Sequence, residues 1–196
     1  LLLRLPFAIA SVSSVFALYL LTRIYFGYIV ASVAALFMAA SGLFVAFGRI
    51  VQHQSITMLL ILISLLLLSL AIKRDGWKLP GLYLGMICGG LALLTHFDSV
   101  WIIFPASLLI FWWYKKYRST TSLAWTNKLY VFVAIILFIF IVLSFYIPFL
   151  WSLTEYQFSY WNRRMTGEAS NSINILLSYN FSIVLIIQCA LIIISL

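Results

Sequence analysis

The sequence predicts an all-α protein, a polytopic bundle of transmembrane helices. Three observations carry this. Of its 196 residues 65% are hydrophobic and 8% charged, whereas globular domains carry about a quarter charged residues. The apolar residues form continuous runs, not the alternation of a membrane β-barrel. The charges gather in short connectors between those runs. A net charge of +8 would suggest nucleic acid in a soluble chain. Here it fits loops beside anionic headgroups, so membrane lipid is the expected partner and nucleic acid is not.

A spanning helix needs roughly 20 apolar residues, fewer where the bilayer thins. Leu5 to Leu21 is a short first span, bracketed by Arg4 and Arg23. Tyr28 to Phe47 is the second, and its Ala, Gly and Ser let helices approach closely. The polar connector Arg49 to Ser55, RIVQHQS, leads to a third span, Ile56 to Ile72. Lys73 to Lys78, KRDGWK, reads as a turn, with Asp75 a turn residue beside Gly76.

Leu79 to Trp113 is too long for one span and short for two. The polar break at His96–Asp98 divides it into short helices, Pro80 to Thr95 and Ser99 to Trp113. Pro80 suits a first helical turn. Gly81, Gly85, Gly89 and Gly90 give the first of these helices a packable face. Tyr130 to Leu150 is a sixth span, a polar-aromatic segment runs from Trp151 to Asn180, and Phe181 opens a seventh. Trp77, Trp112, Trp113, Trp125, Trp151 and Trp161 sit near predicted helix ends, where interfacial anchoring explains most of them.

Alternate crossings put eight basic residues on one side: Arg23, Lys73, Arg74, Lys78, Lys115, Lys116, Arg118 and Lys128. Four fall on the other: Arg4, Arg49, Arg163 and Arg164. The positive-inside rule makes the first side cytoplasmic in a multi-pass cell-membrane protein. The His96/Asp98 side is then extracytoplasmic. Its connectors, RIVQHQS, THFDS and TEYQFSYWNRRMTGE, hold the chemically capable residues outside the basic loops.

The chain starts at Leu1 in apolar sequence and ends in LIIISL. Both ends read as cut, and residues 1–196 read as a single transmembrane domain truncated at both ends, with no soluble domain. Cys88 and Cys189 lie in apolar runs and read as small buried hydrophobes. No Cys-x-x-Cys or His/Cys cluster suggests a metal site. Hydrolase triads, a phosphate-cradling glycine loop and a dinucleotide fingerprint are missing as well.

Three motifs then matter in order: Arg4-Leu5-Pro6 opening a helix that ends in Arg23 and Phe26-Gly27; Gly48-Arg49 before a polar connector; and GGLALLTHFDSVWIIFP, Gly89 to Pro105. Together they resemble the dolichyl-phosphate-mannose protein mannosyltransferase superfamily, integral-membrane glycosyltransferases of the GT-C fold that include bacterial aminoarabinose transferases. The resemblance covers about two thirds of the chain. Two positions depart from it. His96 stands where relatives carry a lysine, and Gln52, His53 and Gln54 replace a connector that often holds a carboxylate.

The resemblance implies a hexosyl- or pentosyltransferase. It would move a sugar from a polyprenyl-phosphate-linked donor to a lipid, glycan or protein acceptor at the outer face. It also implies that the catalytic Asp or Glu lies in a loop upstream of the Arg-Leu-Pro helix, so no catalytic residue is expected within 1–196, and the fragment alone is expected to be inactive. No cofactor is implied with certainty, and a divalent cation stays open.

The leaving phosphate needs donors. Arg49 ranks first, because a guanidinium fork matches phosphate oxygens; the alternative is snorkelling to headgroups. His96 follows, either as a phosphate donor or as a histidine paired with Asp98 in an interhelical turn. Asp98 fits a role holding His96 better than that of a base. Arg163 and Arg164, with Glu155 and Glu168, form either a solvated loop or an outer segment closing over the headgroup. The competing classes are a transporter or flippase, which would show paired breaks and internal symmetry, and a non-catalytic membrane subunit.

Overall fold

The computed structural model describes residues 2–49, 53–118 and 124–152, without the side chains of Leu2, Leu43, Phe97, Asp98 and Ala124. Pro6 lies in the first turn of α1 (Leu5–Ala40), where a missing N–H leaves no helical bond unmade. Gly27 breaks this helix with φ +81° and ψ −179°. That backbone is open to glycine and strained for other residues. The two halves of α1 therefore correspond to the first expected span, prolonged past Arg23, and to the start of the second.

The second expected span does not run unbroken to Phe47. Ser41 is extended, with φ −66° and ψ 115°, and separates α1 from the short α2 (Gly42–Arg49). Its Oγ accepts from the Phe44 N–H at 3.5 Å. A serine able to serve the next helix start competes with continuation of the last. The chain then returns on itself: a Cβ at Gly48 would stand 2.9 Å from Ser11 Oγ.

α3 (Gln54–Lys73) and α4 (Lys78–Thr95) pack through the glycine face. A Cβ at Gly81 would lie 2.6 Å from the Leu67 carbonyl, and one at Gly85 would lie 2.8 Å from Leu68 Cγ. Ser64 Oγ donates to the Gly85 carbonyl at 2.7 Å across this contact. Small residues at i, i+4 and i+8 let the two backbones approach. On its other flank α4 meets α6 (Ala124–Ser152), with Gly90 against Ile141.

α5 (Ile103–Arg118) starts later than the expected Ser99, because Phe97–Ile102 winds as a 3₁₀ helix. Pro105 in its first turn fixes the later start. α5 also runs on to Arg118, past the expected end of the span at Trp113 and through Lys115 and Lys116. The buried core joins Leu68, Ala71, Leu82, Met86, Trp113, Tyr117 and Ala134 from α3, α4, α5 and α6.

Trp113 is an exception to the interfacial reading of most of the tryptophans. It is 1% exposed and donates Nε1–H to the Lys78 carbonyl at 3.1 Å, whereas Trp125 is 82% exposed. Around it, Lys78 Nζ stands 4.3 Å from the Tyr117 ring centre and donates to Asn127 Oδ1 at 3.2 Å. Asn127 Nδ2 donates to the Tyr117 carbonyl at 2.7 Å. Asn127→Ala strips partners from both groups and is expected to cost about 1–3 kcal/mol, read as a lower melting temperature in detergent.

Among the described residues four stretches are long and apolar enough to cross a membrane: Leu5–Ala40, Gln54–Lys73, Asp75–Thr95 and Trp125–Ser152. The protein is a multi-pass, all-helical membrane bundle. The chain divides into two compact units, Leu1–Ile147 and Pro148–Leu196. The packing described above belongs to the first; of the second, the end of α6 is described. The seventh expected span and the segment carrying Glu155, Arg163, Arg164 and Glu168 lie outside the described residues.

Candidate functional site

The polar break falls where the sequence puts it. α4 stops at Thr95 because His96 is extended, with φ −163° and ψ 139°. The carbonyls freed at that helix end find local partners. Ser99, 1% exposed, donates its hydroxyl to the Ala92 carbonyl at 2.8 Å and also reaches the His96 carbonyl. Thr95 Oγ1 donates to the Ala92 carbonyl at 2.7 Å.

The same threonine ties this end to α3. Thr57 Oγ1 lies 2.8 Å from Thr95 Oγ1 and 3.0 Å from the His53 carbonyl, to which it donates. The two hydroxyls thus hold the start of α3 against the end of α4. The imidazoles of His53 and His96 then stack, with ring centres 4.4 Å apart and an interplanar angle of 16°. His53 is exposed and His96 half-buried, so one imidazole edge faces outward beside the other.

Two further elements converge. Ser55 Oγ donates to the Phe47 carbonyl at 2.9 Å, anchoring the end of α2 two residues before Arg49. Tyr146 of α6 donates its hydroxyl to the Leu93 carbonyl at 3.3 Å. Arg49 is exposed at the last position of α2. Gln54 opens α3, and its Oε1 is buried with no hydrogen-bond partner among the described residues, as is Ser11 Oγ beneath Gly48. Buried acceptors of this kind are uncommon and mark places where a donor is wanted.

The structure therefore brings together His53 and His96, with Gln54 next in the chain and Arg49 on the segment Ser55 anchors. The backbone of Asp98 lies in the 3₁₀ helix after His96, while its side chain, Gln52, Arg163 and Arg164 lie outside the described residues. Sequence reasoning missed Thr57, Thr95 and Ser11. Their signal is a hydroxyl inside an apolar helix, for Thr57 and Thr95 within one turn of a polar connector. Among the described residues no group of three His, Cys, Asp or Glu side chains is arranged to hold a metal ion.

The other end of α3 has a different character. Asp75 accepts from the Tyr117 hydroxyl at 2.9 Å and from Lys116 Nζ at 3.4 Å. The Tyr117 hydroxyl, and Asp75 after it, raise the Lys116 ammonium above the ordinary lysine pKa, against partial desolvation that lowers it. The turn residue read from the sequence is thus also a tether between the α3–α4 turn and α5.

A family model described as dolichyl-phosphate-mannose-protein mannosyltransferase matches residues 1–146. The chain belongs to this family. The match takes in every element of the site just described, from Ser11 to Tyr146. This mannosyltransferase-family protein is accordingly a multi-pass membrane glycosyltransferase of a kind that uses polyprenyl-phosphate-linked sugars. No curated protein and no solved structure matches the chain.

Proposed function

We propose that the protein transfers a sugar from a polyprenyl-phosphate carrier to a lipid, glycan or protein acceptor on the extracytoplasmic face of the cell membrane. In this reading the His53–His96 end of the bundle receives the carrier phosphate. The observation that carries it is the stack of two histidines from connectors 43 positions apart (96 − 53), held by the Thr57–Thr95 contact.

The chemistry asks for such an end. When the acceptor oxygen bonds to the sugar's anomeric carbon, the carbon–oxygen bond to the carrier phosphate breaks. The departing phosphate takes the bonding electrons and gains negative charge. Donors aimed at that oxygen lower the barrier. Arg49 offers a fork, His96 and His53 offer ring N–H groups, and Gln52 and Gln54 offer amides. The acceptor's proton needs a carboxylate to receive it.

His96→Ala is expected to lower transfer from a polyprenyl-phosphate sugar about 10- to 100-fold in the full protein, the range for losing one hydrogen bond to a charged group. His96→Lys restores a donor of the kind relatives carry there and is expected to recover most of the rate. Equal rates for wild type and His96→Ala would sink the assignment. The sidedness is tested separately at Val100, 48% exposed beside the site. Val100→Cys is expected to react with an impermeant thiol reagent on intact cells, and reaction only after permeabilisation overturns the outer-face placement.

A further inference from the structure

The end of the bundle opposite the histidine pair carries charge that neither packing nor the proposed transfer uses. The contacts of Tyr25 with Ser69, Lys116 with Ile72 and Lys78 with Asn127 bring α1, α3, α4, α5 and α6 together there. Eight cations lie on these segments: Arg23, Lys73, Arg74, Lys78, Lys115, Lys116, Arg118 and Lys128. Asp75 is the single carboxylate among the described residues at this end, and Tyr117 and Lys116 already engage it. Lys78 is caged by Trp113, Tyr117 and Asn127.

The remaining cations point outward. Arg23, Arg74, Lys115 and Arg118 are exposed, and among the described residues none of them pairs with a carboxylate. Lys115 and Arg118 share a helix face at i and i+3. Lys116 Nζ bonds the Ile72 carbonyl at 2.6 Å, which brings their helix end beside the turn carrying Arg74. Exposed aromatics interleave with them: Trp125 lies under Lys128 at 5.4 Å, and Trp77 is 39% exposed in the same turn as Asp75. Tryptophan settles at headgroup depth, so these rings hold the cations level with lipid phosphates.

We propose that this end is a binding site for anionic phospholipid headgroups, with Arg74, Lys115 and Arg118 as its principal phosphate contacts. Charge complementarity selects the occupant: unpaired cations ringing the ends of apolar helices meet the leaflet surface before any soluble anion. A polybasic membrane-proximal surface gains about fivefold in association per cation near an anionic leaflet. The site is independent of the glycosyltransferase reading, since it rests on the membrane bundle alone.

The test is lipid retention by the purified chain in nanodiscs holding equal phosphatidylglycerol and phosphatidylcholine, read by mass spectrometry of the retained lipid. The wild type is expected to enrich phosphatidylglycerol at least about tenfold at low salt, with the enrichment falling in high salt. The triple variant Arg74→Gln, Lys115→Gln, Arg118→Gln is expected to lose it. Among the described residues these three side chains make no hydrogen bond that holds the fold, so helical circular dichroism should stay unchanged. Trp125→Leu, which keeps every cation, is expected to weaken the enrichment less. Equal retention of both lipids, undiminished enrichment in the triple variant, or displacement of the lipid by millimolar inorganic phosphate would each overturn the proposal.

Discussion

Gly85→Leu is expected to destabilise the bundle strongly. A Cβ at this position already stands 2.8 Å from Leu68 Cγ and 3.2 Å from the Leu68 backbone nitrogen. A leucine adds three more heavy atoms to a seam with no room for the first. α4 must then move off α3, which breaks the Ser64–Gly85 hydrogen bond and draws Thr95 away from Thr57. Overpacking of this kind typically costs 1–3 kcal/mol, and the lost contacts bring the total to about 3 kcal/mol or more. The measurement is the yield of monodisperse protein in mild detergent and its melting temperature. Gly76→Ala is the control, since nothing lies within 4 Å of its Cβ position; it is expected to change stability by less than about 0.5 kcal/mol.

Arg49→Ala is expected to lower the rate constant for sugar transfer about 10²- to 10³-fold, the range for losing one strong donor to a developing anion. Arg49 ends α2, the segment that Ser55 pins against the start of α3, where His53 immediately precedes that helix. The loss should fall on kcat more than on KM, because the charge it meets grows as the phosphate departs. Arg49→Lys keeps the charge without the fork and is expected to be intermediate. An arginine that merely snorkels to headgroups would leave kcat alone in a variant that inserts normally, and that outcome contradicts the assignment.

The helices and their packing face were legible because both follow from local rules. Long apolar runs have to be helical in a bilayer, and glycines at i, i+4 and i+8 line one side of a helix. The break at His96 was legible because two ionisable residues interrupt an apolar run. Where one expected span is cut at Ser41, the reason is a single hydroxyl that serves the next helix start, weaker than the hydropathy around it. Trp113 was misread because a tryptophan near a helix end looks the same whether its ring meets lipid or, as here, its N–H finds the Lys78 carbonyl.

For the site, the sequence supplied the residue types and the structure supplied the meeting. Both connectors were assigned to one face by counting crossings, which fixes level but not proximity. Proximity comes from Thr57 and Thr95, two hydroxyls in apolar helices whose contact only the fold reveals. Arg163 and Arg164 stay an expectation of the sequence, since they lie outside the described residues.

The central claim is that His53 and His96 act as one unit toward the carrier phosphate. A double-mutant cycle measures this directly, comparing transfer rates of His53→Ala, His96→Ala and the pair in the full protein. Residues in contact that serve one bound group are expected to be non-additive by about 0.5–3 kcal/mol, so the double variant should lose less than the product of the single losses. Strictly multiplicative losses, or no loss in either single variant, would contradict a shared phosphate site at the stacked histidines.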